Sequence, residues 1–148
     1  MIFPVVIEYK SKAYDEMVTL RQKILRDPLG LVFSEEFLKQ DENDILLGLS
    51  APRPRRIAAC CILTAKDEKT VKLRQMAVDN NDQGLGFGKS MLKFAELVAS
   101  DKGFDKIVLH ARKVAIGFYQ KYDYKIIGEE FMEVEMPHYK MEKQLNKE

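Results

Sequence analysis

Three glycines at alternate positions, Gly84, Gly86 and Gly88, stand in the stretch Gln83-Gly84-Leu85-Gly86-Phe87-Gly88-Lys89-Ser90, between a β-prone run and a segment of helical periodicity. Glycine lets the backbone take positive φ and approach a ligand closely. A helix beginning near Gly88 offers unpaired N–H groups and the positive end of its dipole. The stretch therefore predicts a strand-to-helix turn that cradles an anion, with phosphate as the expected guest.

Spacing separates this loop from two other phosphate loops. A Walker A loop needs glycine five residues before its Gly-Lys pair, where this chain has Gln83. The dinucleotide fingerprint G-x-G-x-x-G needs glycine where Lys89 stands, and the strand before the loop follows a meander instead of opening a βαβ unit. What remains is Gln-x-x-Gly-x-Gly.

The elements around the loop follow from periodicity. Val5 to Ile7 form a short β-prone run. Ala13, Met17, Leu20 and Ile24 then make the apolar stripe of a helix, which Pro28 and Gly30 stop. Ser34 is placed to cap a short second helix with Glu35 and Glu36 in its first turn. Residues 45 to 49 and 57 to 64 predict a hairpin whose tip, containing Pro52 and Pro54, carries Arg53, Arg55 and Arg56. Residues 71 to 78 form the next strand and end at the loop. Beyond it, Met91, Leu92, Ala95, Val98 and Ala99 line one helical face that Gly103 terminates. Residues 107 to 110 read as a buried strand, and Ala115, Phe118, Tyr119 and Tyr122 as a short aromatic helix. Residues 124 to 127, 131 to 136 and 139 to 145 are expected as strands, with Pro137 breaking the last pair. This order predicts an α/β (mixed α+β) fold: a central mixed, mostly antiparallel sheet with helices on both faces.

Composition narrows the function classes. The 148 residues suit one domain, 1–148, without support from disulfides or metal. The 24 lysines and arginines nearly balance the 23 aspartates and glutamates, so a dedicated nucleic-acid binder is not expected. No run reaches the roughly 18 apolar residues of a membrane span, and there is no basic leader before an apolar core. The adjacent Cys60 and Cys61 should point to opposite faces of a strand as free thiols, which suggests a reducing compartment, and the expected location is cytoplasmic. His110 has no companions at metal spacing; it is expected to be a structural hydrogen-bonding residue, and no metal site is expected.

The loop, set between residues 73 to 78 and an apolar helix, resembles the pyrophosphate-binding signature of the Gcn5-related N-acetyltransferase (GNAT) family. The segment Ala115-Ile116-Gly117-Phe118-Tyr119-Gln120-Lys121-Tyr122-Asp123-Tyr124 resembles that family's next motif. It departs at Asp123, where glycine is usual, and at Arg112, where asparagine or glutamine usually meets the pantetheine arm. Leu20-Arg21, Leu25-Arg26, Arg74 to Val78 and Phe131 to Met141 are similar to the ElaA and YjcF branch. The resemblance covers most of the chain and is strongest from residue 73 to 141.

The resemblance implies a GNAT fold and acetyl-CoA as cosubstrate. Its pyrophosphate would lie on backbone N–H groups of Gly84, Leu85, Gly86, Phe87, Gly88 and Lys89, with Gln83 supporting the loop or bonding a phosphate. The pantetheine arm would pair with Met76, Ala77 and Val78 in a splay between two strands, near Arg112, Phe118 and Tyr119. It also implies transfer of the acetyl group to a primary amine, on a small molecule or peptide, by direct attack in a ternary complex. Tyr119 is the family's candidate acid. The base is open between His138, Glu133 and a water relay; Glu133 is expected on one strand face with Phe131 and Glu135, opposite Met132, Val134 and Met136. A sensor that binds acyl-CoA without turnover is the alternative, and a homodimer is left open.

Overall fold

The structure is a computed structural model, described here over residues 2–145. Seven strands form one sheet in the order β1 (Phe3–Ile7), β2 (Ile45–Ala51), β3 (Arg56–Ala65), β4 (Thr70–Val78), β5 (Lys106–Arg112), β7 (Met136–Gln144), β6 (Lys125–Glu133). Every neighbouring pair is antiparallel except β4 and β5. A strand that leaves the loop, runs through a helix and returns beside its starting strand must be parallel to it, which accounts for the one exception.

Helices cover both faces. α1 (Lys12–Arg21) is started by Ser11, whose hydroxyl accepts from the Tyr14 N–H at 3.1 Å, and it lays Met17 and Leu20 on Leu46, Ile57, Cys60 and Ile62. The chain then passes through a π-turn, Gln22–Arg26, and a 3-10 turn, Asp27–Leu29, that carries Pro28 and ends at Gly30 with φ 68°. α2 (Glu35–Lys39) is capped by Ser34 through the Phe37 N–H at 3.1 Å. On the opposite face, α3 (Phe87–Asp101) buries Met91, Leu92, Ala95 and Ala99, and α4 (Ile116–Lys121) buries Tyr119, against Leu47, Cys61, Leu73 and Leu109. Cys60 and Cys61 thus lie in different cores, on the two faces of β3, as strand alternation requires.

Two irregularities in β4 prepare the site. Between Ile62↔Arg74 and Cys60↔Ala77, β3 advances two residues while β4 advances three, so Gln75 and Met76 form a bulge with Gln75 at φ 56°. In addition, β4 pairs with β5 only from Thr70↔Lys106 to Leu73↔Leu109. Past that point the two strands part, and the edge of β4 from Arg74 to Val78 has no β5 partner.

The C-terminal strands differ from expectation. Residues 124 to 127 and 131 to 136 were expected as separate strands; 125 to 127 and 131 to 133 belong to the single strand β6, which carries an irregularity between Ile127 and Phe131 around Gly128 at φ 79°. β6 stops at Glu133, because Val134 (φ 46°) and Glu135 (φ 60°) make a two-residue hairpin turn, so Glu135 does not share a strand face with Glu133. Pro137 does not break β7. It sits opposite Met132, one residue before β7 begins to pair with β5 at Arg112↔His138, where a missing N–H leaves no gap in the β5 ladder. No helix among the described residues is long and apolar enough to cross a membrane.

Candidate active site

The gap between β4 and β5 opens into a cleft of about 600 Å³. Met76, Gln83, Arg112, Tyr119, Glu133 and His138, six residues singled out in the sequence, line it together. The bulge turns Met76 into the gap, while the Ala77 side chain is buried beneath α1 and Val78 packs on the α3 side, so those two offer the cleft only backbone. A free strand edge with unpaired N–H and C=O groups is suited to an extended amide-bearing ligand.

The glycine loop lies at one end of this edge. Gly86 is the N-cap of α3 with φ 83°, a left-handed conformation in which its carbonyl accepts the Ser90 N–H at 3.0 Å. The N–H groups of Phe87, Gly88 and Lys89 precede that first bond and are left for another acceptor. Gly84, at φ 84°, reverses the chain ahead of them and Leu85 projects into solvent. Gly88 is small for a different reason: a Cβ there would stand 3.3 Å from the Phe118 ring, so the aromatic helix packs directly on α3 and Phe118 lies behind the loop. Gln83 donates its amide to the Val78 carbonyl at 3.1 Å and to Asn80 at 3.3 Å, bracing the turn. Arg56 grips Asp82 at 2.6 and 3.1 Å and Arg55 pairs with Glu16 at 2.8 Å, so two of the three hairpin-tip arginines are committed to the fold.

Tyr119 reaches the cleft from the α3 side. Its side chain is 8% exposed and its ring meets Phe118 and Tyr124 edge-on at 5.1 and 5.8 Å. Burial pushes its hydroxyl well above the usual phenol range, so it stays protonated at any physiological pH. Its hydroxyl makes no hydrogen bond among the described residues, which leaves the proton available to a bound group.

His138 is 4% exposed and faces the cleft from β7. Its Nδ1 lies 2.8 Å from the Met136 carbonyl; a carbonyl only accepts, so Nδ1 carries a proton and Nε2 is the nitrogen left to exchange one with a bound group. Glu133 Oε2 stands 3.7 Å from that Nε2, and Glu133 Oε1 accepts from His110 Nδ1 at 2.9 Å. Lys72 Nζ lies 3.4 Å from the same His110 nitrogen, and acts there as a neighbouring charge because that proton is already donated to Glu133. Desolvation raises the Glu133 carboxyl, but the hydrogen bond from His110 and the charges of His110, His138 and Lys72 outweigh it and hold the group below the usual carboxylate range. Desolvation in turn lowers the Lys72 ammonium, against the opposing pull of Glu133. Glu133 is therefore an ionised carboxylate that spans two imidazoles, with Phe131 packed against both rings at 4.9 and 6.0 Å.

Sequence reasoning put His110 outside the site, and it did not foresee Lys72, Gln75 or Arg26 as site residues. The signal for His110 was present in part: it and Arg112 alternate onto one face of β5. Its contact with Glu133 depends on β6 and β7 register, which no local pattern specifies. Gln75 is held by Arg21, whose Nε donates to its side chain at 3.3 Å; Arg21 in turn is paired with Asp41 at 2.8 Å, both side chains 0% exposed, and Tyr14 donates to the same Asp41 oxygen at 2.7 Å. Asp123 is explained: it has φ 74°, the left-handed position that favours glycine and that aspartate tolerates better than most residues. Cys60 is pushed up to about 12 and Cys61 well above the usual thiol range by burial, so neither is a reactive thiol. Among the described residues, no group of three or more His, Cys, Asp or Glu side chains is arranged to hold a metal ion.

Comparison with known proteins bears on this geometry. Residues 30–145 match the family described as "Acetyltransferase (GNAT) domain". The Bacillus subtilis (strain 168) protein described as an uncharacterized N-acetyltransferase, YjcF, is 33% identical over 73 residues, 49% of this chain and 52% of that protein. The chain spans about half the length of the curated relatives it matches first. Among solved structures, an acyl-CoA N-acyltransferase from Pseudomonas aeruginosa superimposes with a TM-score of 0.81 at 18% identity, covering 96% of this chain and 99% of that one. A GNAT family acetyltransferase from Elizabethkingia anophelis, solved with acetyl-CoA bound, superimposes with a TM-score of 0.73 at 22% identity, covering 97% and 98%. At these identities the two structures establish a common fold.

Proposed function

The chain belongs to the GNAT acetyltransferase family, and from that premise we propose that it moves an acetyl group from acetyl-CoA to a primary amine by direct attack in a ternary complex. The observation that carries the proposal is the cleft at the parted β4 edge, where the Tyr119, Glu133 and His138 side chains meet, with the left-handed Gly86 turn beyond the end of that edge. The acetyl-CoA-bound neighbour supports the choice of cosubstrate.

The chain's residues fit such a guest. The N–H groups of Phe87, Gly88 and Lys89 would hold the pyrophosphate at the positive end of α3. The free edge from Met76 to Val78 would receive the amide-bearing pantetheine arm. The bound thioester supplies an activated acyl group. An N–H of Met76 or Ala77 at the bulge would polarise the acyl carbonyl, a donor of the kind that contributes about 2.7 to 4 kcal/mol at the transition state.

Proton transfer would use the His138 nitrogen that the Met136 carbonyl does not engage. His138 Nε2 takes the proton that the amine must lose, and Glu133 stabilises the imidazolium that results. Tyr119 donates a hydrogen bond to the departing sulfur. Because burial raises the phenol far above a thiol, Tyr119 stabilises the departing thiolate by that hydrogen bond while keeping its own proton; the proton taken by His138 passes to solvent, from which the thiolate is finally protonated.

The test is release of free thiol from acetyl-CoA across polyamines, amino sugars, amino acids and lysine peptides. Turnover with at least one class is expected. A thermal shift with acetyl-CoA but no thiol release across the panel would instead indicate a non-catalytic acyl-CoA sensor, and no shift at all would remove both readings.

A further inference from the structure

Three guanidiniums line the cleft, those of Arg26, Arg74 and Arg112, against one carboxylate, Glu133. Arg74 is already committed, to Asp44 at 3.4 Å and to Thr64 at 3.2 Å. Glu133 is committed to His110 and approached by His138. Arg26 and Arg112 have no ion pair among the described residues.

Arg26 is not an ordinary solvated arginine. It ends the π-turn, in which the Asp27 N–H bonds back to the Gln22 carbonyl, and its own carbonyl accepts from the Leu31 N–H at 3.0 Å, so its backbone is fixed on both sides. Its guanidinium lies 4.6 Å from the Phe33 ring and 5.4 Å from the Phe37 ring, and those rings stack on each other at 5.5 Å. Stacking positions the planar fork without using its N–H donors. Burial first, then the charges of Arg21 and Arg112, lower its pKa from the ordinary value, and only Glu133 opposes them. A preorganised, partly desolvated cation whose donors are unspent is a site for an anion. The cofactor's phosphates belong at the glycine loop. Arg112 lies opposite His138 in the β5–β7 register, at the end of the cleft where the base stands.

Resting on the transferase reading above, we propose that Arg26 and Arg112 form an anion subsite for the acceptor, so that the amine acetylated here carries a carboxylate, gripped by the Arg26 fork while the amine reaches His138. A monoanion matches the charge available, because Glu133 already offsets part of the two guanidiniums.

The experiment pairs acceptors of equal chain length with the full chain at saturating acetyl-CoA: γ-aminobutyrate, the corresponding amino alcohol, the diamine putrescine and the aminophosphonate. The acid should exceed the alcohol in kcat/KM by about tenfold or more, as expected for a charge-assisted bidentate contact. Arg26→Met should bring that ratio close to one, and Arg26→Lys should restore part of it. Preference for the alcohol, the diamine or the phosphonate would overturn the proposal, as would an unchanged ratio in Arg26→Met. If no amine releases thiol, the transferase reading fails separately, and calorimetric titration of the CoA-saturated chain decides this one: tighter binding of the acid than the alcohol, lost in Arg26→Met, sustains it, and equal binding ends it.

Discussion

Replacing Arg21 by methionine should unfold the chain far more easily than any surface substitution, and should do so through Asp41. Methionine keeps most of the apolar stem. What is lost is the partner of a carboxylate that is 0% exposed, leaving a charge in the core. Removing one member of a buried pair typically destabilises by about 3 to 5 kcal/mol. For a domain of 148 residues this corresponds to a fall of about 10 to 15 °C in Tm. The pair itself is imperfect, since Arg21 Nη2 and Asp41 Oδ1 are buried without hydrogen-bond partners. The double variant Arg21→Met, Asp41→Leu should therefore recover most of the loss, because it removes both charges together. Scanning calorimetry of the two variants reads this directly. A single variant melting within about 3 °C of the parent, or a double variant less stable than the single, would show that the buried Asp41 charge does not depend on Arg21. The single variant should also weaken acetyl-CoA binding, since Arg21 holds Gln75 at the β4 bulge.

Tyr119→Phe should preserve acetyl-CoA affinity while lowering kcat by roughly 10²-fold, read by steady-state kinetics; an equal kcat would remove the hydroxyl from the chemistry. Glu133→Gln removes the negative charge that would stabilise the imidazolium formed as the amine loses its proton, so kcat should fall with acetyl-CoA affinity unchanged; an equal kcat would exclude the electrostatic role. Glu133 itself is held below the usual carboxylate range, so its folded-state stabilisation is present at neutral pH and is lost as acid carries the solution down through that lowered pKa. The group is half exposed, so the effect on Tm should be small, and a large shift in Glu133→Gln at neutral pH would contradict the assignment.

Local sequence rules reached those parts of the site that are local. The glycines at 84 and 86 signalled positive φ, Ser11 and Ser34 signalled helix starts, and adjacent Cys60 and Cys61 followed strand alternation onto opposite faces. The bulge at Gln75 escaped because nothing in Arg74-Gln75-Met76-Ala77 announces a left-handed residue; the extra residue is fixed by β3 register and by Arg21, 54 positions away in sequence. Val134 likewise carries a β-branched side chain at φ 46°, where composition would place glycine or asparagine, so the hairpin turn read as strand and Pro137 read as a break. The Glu133 bridge to His110 and His138 joins β6, β5 and β7 across a register that only the assembled sheet defines. The π-turn that aims Arg26 leaves no compositional trace either.

The proposed acyl-CoA site rests on the Gly86 turn and the parted β4 edge. Calorimetric titration of the chain with acetyl-CoA tests it most directly, beside Gly86→Asp, which places a side chain at φ 83° and a negative charge at the cradle. Saturable binding to the parent chain, abolished in the variant, is expected. Absence of binding to the parent, or equal binding to a folded Gly86→Asp, would contradict it.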